Sequence, residues 1–156
     1  MFESLVPHKI RHLGVSNFSL DQLRHVCDGS TVRPVIVQNR FVRETSYDGE
    51  LRGFCREHGI TYQAFGMLRH SPEILESDLV QRVAGKLGGC ERELALYVLI
   101  LSLGGVQVLN GTTKAERMQK DLEVCGRVFG DAKLYRALKK EFSEWPELLR
   151  KLAGSA

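Results

Sequence analysis

The chain has 156 residues, 43% hydrophobic and 26% charged, with a net charge of +3, which suits one globular domain able to bury roughly 70% of the surface its unfolded form exposes. Lys and Arg are scattered among Asp and Glu rather than gathered in a tract with aromatics, which argues against nucleic-acid binding. Cys27, Cys55, Cys90 and Cys125 form no CxxC or Cys/His pair at zinc-ligand spacing, so no metal site is expected and they read as reduced, mostly buried thiols of a cytoplasmic protein.

In chain order, "MFESLVPHKIRHLG" lacks the apolar core of a signal peptide. "IRHLGV" (10–15) reads as a strand, and Ser19 with Gln22 forms a capping box that opens a helix over "LDQLRHVCD". "PVIVQ" (34–38) is a β-branched apolar run suited to a strand buried on both faces. "YDGELRGFCREHG" puts Leu51, Phe54 and Cys55 on one helical face, with Gly59 at the cap. "ITYQAF" (60–65) is a third strand, and "EILESDLVQRVAGKLG" reads as one helix. "ERELALYVLILSL" (91–103) is a helix apolar nearly all round. Gly104-Gly105 separates it from a fourth strand, "VQVL" (106–109), so this region is too interrupted for the ~20 residues of a membrane span. Thr113 with Glu116 reads as a second capping box, opening "KAERMQKDLEVC". Residues 131 to 152 suggest one or two amphipathic helices with a break at Pro146.

This alternation implies an α/β fold with parallel strands and right-handed crossovers, either four units of a (β/α) barrel or a smaller doubly wound sheet. In such folds functional groups lie just past the carboxyl ends of the strands. Those positions hold Ser16-Asn17, then Gln38-Asn39-Arg40, then Phe65-Gly66-Met67, then "NGTTKAER" (110–117). In the last, Gly111, the hydroxyls and N–H groups of Thr112 and Thr113, and Arg117 one turn into the helix combine as a phosphate site. The competing reading is that Thr113 only caps the helix and Arg117 is solvated. His12, His25 and His58 read as ordinary, and His70 as a rim candidate. Tyr47, Tyr62, Tyr97 and Tyr135 have no Lys or His at telling spacing.

"IRHLGVSNFS", "PVIVQNRF", "FCREHGITYQAFGML" and "VLNGTTKAERMQKDL" resemble, in order and spacing, the carboxyl half of aldo-keto reductases, from about residue 5 to residue 124, and most of all fungal-type members. Residues 125–156 would then be a helical tail on a single domain. The resemblance implies a parallel half-barrel of four β/α units, like the second half of a TIM barrel, and NADP(H) as cofactor. By position, Ser16, Asn17 and Gln38 match the groups that bond the nicotinamide carboxamide. Phe65 stands where the family usually stacks a Tyr on the ring. Leu68 is what matches the pyrophosphate-covering segment. Gly111-Thr112 replaces a Lys-Ser pair, Thr113 follows it, and Arg117 matches the Arg on the adenosine 2′-phosphate. Lys120-Asp121 replaces a Glu-Asn pair that grips adenine.

The family's catalytic Asp, Tyr, Lys and His belong to the first half of its barrel, so the resemblance implies a truncated, oxidoreductase-related chain with a partial cofactor site and no tetrad. The catalytic residues are unknown, and whether the chain is an enzyme stays open. Cofactor affinity that is weak or lost, a non-redox isomerase, dehydratase or cyclase, and a nucleotide- or protein-binding pseudoenzyme are the alternatives. A half-barrel also exposes two sheet edges and an expected apolar concave face. A homodimer, a complementing half-barrel chain, or the tail helices with Phe142 and Trp145 would cover them. A small-molecule substrate is compatible with this reading; a membrane or nucleic-acid partner is not.

Overall fold

Four short parallel strands lie side by side in chain order, β1 (Gly14–Ser16), β2 (Ile36–Arg40), β3 (Thr61–Phe65) and β4 (Val106–Val108). The computed structural model describes residues 10–154. The start of the resemblance at residues 5–9, most of the N-terminal stretch read against a signal peptide, and residues 155–156 lie outside the described residues. Ser16, Gln38, Gln63 and Gln107 fall in one row across the sheet.

Helices fill the crossovers: α1 (Leu20–Gly29), α2 (Gly49–Glu57), α3 (Met67–His70), α4 (Pro72–Leu75), α5 (Asp78–Lys86) and α6 (Arg92–Leu101). After β4 come α7 (Ala115–Gly130), α8 (Ala132–Ala137) and α9 (Lys139–Ala153). The helical layer covers the sheet face that carries Val37, Tyr62, Ala64 and Val106, and Leu94 to Ile100 of α6 are all buried in that core. The fold is therefore the expected parallel half-barrel of four β/α units with further helices at the C-terminus. No helix among the described residues is long and apolar enough to cross a membrane.

Several local expectations change. The Ser19 capping box forms as read, with Gln22 N–H on Ser19 Oγ and Ser19 N–H on Gln22 Oε1. The helix expected over residues 73–88 is two, because Ser77 accepts from the Val80 N–H and restarts the chain as α5. The Thr113 cap does not form: α7 begins one residue later, with Lys114 at its N-cap and no side-chain capping bond. Pro146 lies inside α9 rather than at a break. A proline costs an interior helix one hydrogen bond, and Trp145 and Leu149, both buried, hold the segment in place.

The tail does not close over the sheet. The α9 helix packs on residues 43–48, α5, α6 and α8, and Lys86 of α5 reaches the buried Glu141 at 2.8 Å. Burial opposes the Glu141 charge, but the Lys86 bond and a backbone donor outweigh it and hold its pKa low. The uncovered sheet face is also not the apolar surface expected. Gln38 Nε2 donates to Gln63 Oε1 at 3.1 Å, and Gln63 Nε2 donates to Gln107 Oε1 at 2.9 Å. Both strands at the ends of the sheet have one partner among the described residues.

Candidate functional site

The first corner is built where β1 ends. Ser16 Oγ and the Asn17 N–H both donate to the Gln38 carbonyl, at 2.8 and 3.0 Å. Asn17 has φ 56, a left-handed conformation that Asn tolerates better than most residues. Asn17 is exposed and lines a large cleft with Arg40 and His70, separate from the cleft that holds Gln38. His70, the rim candidate, stands at the end of α3 and lines this larger cleft. It crowds Gly66, which has φ 73; a Cβ there would meet His70 Cδ2 at 3.2 Å. The bond to Gln63 commits one N–H of Gln38 and leaves its Oε1 to accept from a ligand amide.

The second part is a cleft of about 860 Å³ at the carboxyl ends of β3 and β4. Gln38, Phe65, Leu68, Gly111, Thr112 and Arg117 line it, six of the residues nominated from sequence. Phe65 is half-buried, as a ring offering one face to a ligand would be. Asn110 shapes the 110–114 loop: its Oδ1 accepts the Thr112 N–H at 2.9 Å, and its Nδ2 donates to Asp121. The Lys114 N–H is taken by Thr112 Oγ1. One of the two amides expected to meet a phosphate, that of Thr112, is therefore used inside the loop. The first N–H groups of α7 have no side-chain cap, so that helix end remains electropositive. Thr113 is exposed outside the cleft lining, and Ser16 joins the cleft only through Gln38.

Charge in the cleft is balanced. Arg69, Arg117 and Lys120 face Glu91, Glu93 and Asp121. Lys120 Nζ bonds Glu91 Oε1 at 2.6 Å, which holds Glu91 below the usual carboxylate range and Lys120 above its own. Burial, then the Glu91 charge, pushes Asp121 up, against the pull of Arg117 and Asn110. Lys120-Asp121 thus arrives already paired to neighbours, so neither side chain is idle.

Two tyrosines are engaged elsewhere. Tyr62 Oη donates to Asp48 Oδ2 at 2.8 Å and Tyr47 Oη to Glu73 Oε1 at 2.7 Å. Burial first, then the partner carboxylates, raises both phenols far above the ordinary value. Tyr97, largely buried in α6, lines the cleft itself, and burial pushes it up to about 12. The cysteines are free; Cys27 and Cys55 are buried and Cys90 and Cys125 half-buried.

Sequence reading missed the amide row across Gln38, Gln63 and Gln107 and the buried cluster of Asn39, Asp48 and Tyr62. The row had a signal, since each glutamine is the middle residue of its strand. The cluster had none, because Asp48 reaches β2 and β3 only through an irregular turn.

No family model matches the chain. Over 117 residues it is 31% identical to an NAD(P)H-dependent 6'-deoxychalcone synthase of Glycine max, a match covering 72% of this chain and 36% of that protein. Over 78 residues it is 30% identical to a glyoxal reductase of Bacillus subtilis (strain 168), covering 50% and 28%. In fold it matches an aldo/keto reductase of Brucella melitensis with a TM-score of 0.61 at 19% identity, across 90% of this chain and 48% of that one. In fold the chain resembles an aldo/keto reductase, and in sequence it resembles two reductase-type relatives. It spans about a third of the curated relatives it matches and about half of the solved aldo/keto reductase. That structural match carries the fold alone; the cofactor of the soybean relative is stated in its name.

Proposed function

We propose that the chain binds NADP(H) as the cofactor-holding part of an aldo-keto-reductase-type oxidoreductase. The observation that carries this reading is the convergence of Gln38, Phe65, Leu68, Gly111, Thr112 and Arg117 on one cleft, from strand ends far apart in sequence. The residues fit the group. Gln38 Oε1 and the Asn17 amide suit a carboxamide, Phe65 suits a flat ring, and the uncapped start of α7 with Arg117 suits a phosphate. When bound, the nicotinamide supplies the redox chemistry. The chain's own residues orient it: Ser16, Asn17 and Gln38 at one end, Arg117 at the other.

In this reading the described residues supply binding, and proton delivery comes from elsewhere. Hydride transfer to a carbonyl needs a group that protonates or stabilises the oxygen. Tyr47 and Tyr62 are bonded to carboxylates and have raised pKa values, which makes them poor donors. A complementing half-barrel, in a second copy or another chain, would supply that group. The free edges at β1 and β4 support this completion. The test is titration of purified protein with NADPH, followed by cofactor fluorescence beside calorimetry. Saturable binding is expected; none up to about 1 mM, the weak end of specific affinity, would overturn the reading.

A further inference from the structure

The Ser16–Asn17 corner is fastened from beneath by a buried polar relay that the cofactor reading does not itself require. Asn39 is 4% exposed and points to the helical side of the sheet. Its Oδ1 accepts the Phe18 N–H at 3.1 Å, and its Nδ2 donates to the Phe18 carbonyl at 2.8 Å. The same Nδ2 donates to Asp48 Oδ2 at 2.8 Å, and Tyr62 Oη donates to that oxygen at 2.8 Å. Asp48 is 7% exposed and Tyr62 1%.

The relay is held by strained backbone. Ser46, Tyr47 and Asp48 all have φ 52, left-handed values that cost a non-glycine residue about 1 kcal/mol or more each. Such strain persists where surrounding contacts over-determine it. Here those contacts are Tyr47 N–H to the Val42 carbonyl, Arg52 Nε to the Tyr47 carbonyl, and Tyr47 Oη to Glu73. The strain carries a carboxylate from an irregular turn into the one place where it can brace Asn39.

We infer that Asn39 and Asp48, braced by Tyr62, are positioning residues that fix the Ser16–Asn17 corner against the nicotinamide end of the cofactor. Asn17 sits in a left-handed conformation between two pinned neighbours. Ser16 is tied to Gln38, and Phe18 is clamped at both its N–H and its carbonyl. Without the clamp the corner is free to relax, and the Asn17 amide loses its aim. This rests on the proposed NADP(H) site.

The experiment compares two ligands, NADPH and adenosine 2′,5′-bisphosphate, which lacks the nicotinamide end. Asn39→Asp preserves volume and the acceptor for Phe18 N–H. It removes both Nδ2 donations and sets one carboxylate against another. NADPH affinity is expected to fall about tenfold, the order of one charge-assisted hydrogen bond, with bisphosphate affinity unchanged. Tyr62→Phe, a milder change, should weaken NADPH about threefold and leave the bisphosphate alone. Asp48→Asn should restore near-parental behaviour relative to Asp48→Ala, because one amide oxygen can accept both bonds.

Equal losses for both ligands, or no NADPH loss in folded Asn39→Asp and Tyr62→Phe, would overturn the inference. If the parent binds neither ligand, the cofactor reading fails, and the positioning role falls with it. The clamp is then judged on its own by Phe18 amide exchange: slow in the parent and faster in Tyr62→Phe and Asn39→Asp, or else absent.

Discussion

Arg117 stands in the first turn of α7, exposed, with no side-chain hydrogen bond among the described residues. It shares the cleft with Glu91, held low chiefly by the Lys120 bond, and with Asp121, which burial pushes up against the pull of Arg117. A guanidinium placed this way is ready to trade weak, solvated attraction for a dianionic phosphate. Arg117→Ala is therefore expected to weaken NADPH by about ten- to a hundredfold, the range of one or two charge-assisted bonds, while NADH changes little. Calorimetric titration with both cofactors reads the difference, and equal losses would remove Arg117 from the 2′-phosphate. Arg117 was legible because helix starts after parallel strands collect phosphates. Of its acidic neighbours Glu91 was not, since it reaches the cleft from the N-cap of α6.

At the scale of elements, strands were the easiest part to read. "PVIVQ" and "ITYQAF" are apolar runs between breakers, and their strands, Ile36–Arg40 and Thr61–Phe65, lie within two residues of the reading. Strand ends shift because hydrogen bonding to neighbours, not composition, decides them. Helix starts were read with mixed success, for a physical reason. Ser19 and Thr113 both satisfy the capping-box pattern, but only Ser19 makes the bonds. Around Thr113 the Asn110 and Thr112 side chains instead hold the Thr112 and Lys114 N–H groups in a loop, and α7 starts one residue later, at Ala115. Ser19→Ala should thus cost about 1 kcal/mol in urea unfolding, whereas Thr113→Ala should stay within about 0.5 kcal/mol of the parent. The left-handed run at Ser46 to Asp48 was invisible, because ordinary side chains rarely adopt it and tertiary bonds impose it here.

For the whole molecule, the question is how an open parallel sheet meets water. An apolar concave face would force association by burial alone, and the Gln38–Gln63–Gln107 row removes that force. What remains is the edges. On β4 the backbone of Gly105, Gln107 and Leu109 faces β3, as the Tyr62 N–H to Gly105 and Leu109 N–H to Ala64 bonds show. By alternation, the N–H and carbonyl groups of Val106 and Val108 point to the free side. An edge of three residues is short, which limits casual pairing but suits a specific partner strand. If a second copy completes the sheet there, the parent should sediment as a dimer at tens of micromolar. Val108→Pro removes an outward N–H without touching the β3 ladder, so it should sediment as a monomer with an unchanged far-ultraviolet spectrum. A monomeric parent would turn the search to a different complementing chain, and a dimeric Val108→Pro would move the contact away from β4. NADPH titration of the monomeric variant then separates the two roles of completion. Unchanged affinity means that Gln38, Phe65 and Arg117 hold the cofactor within one chain, and a loss means that the second copy contributes to the site.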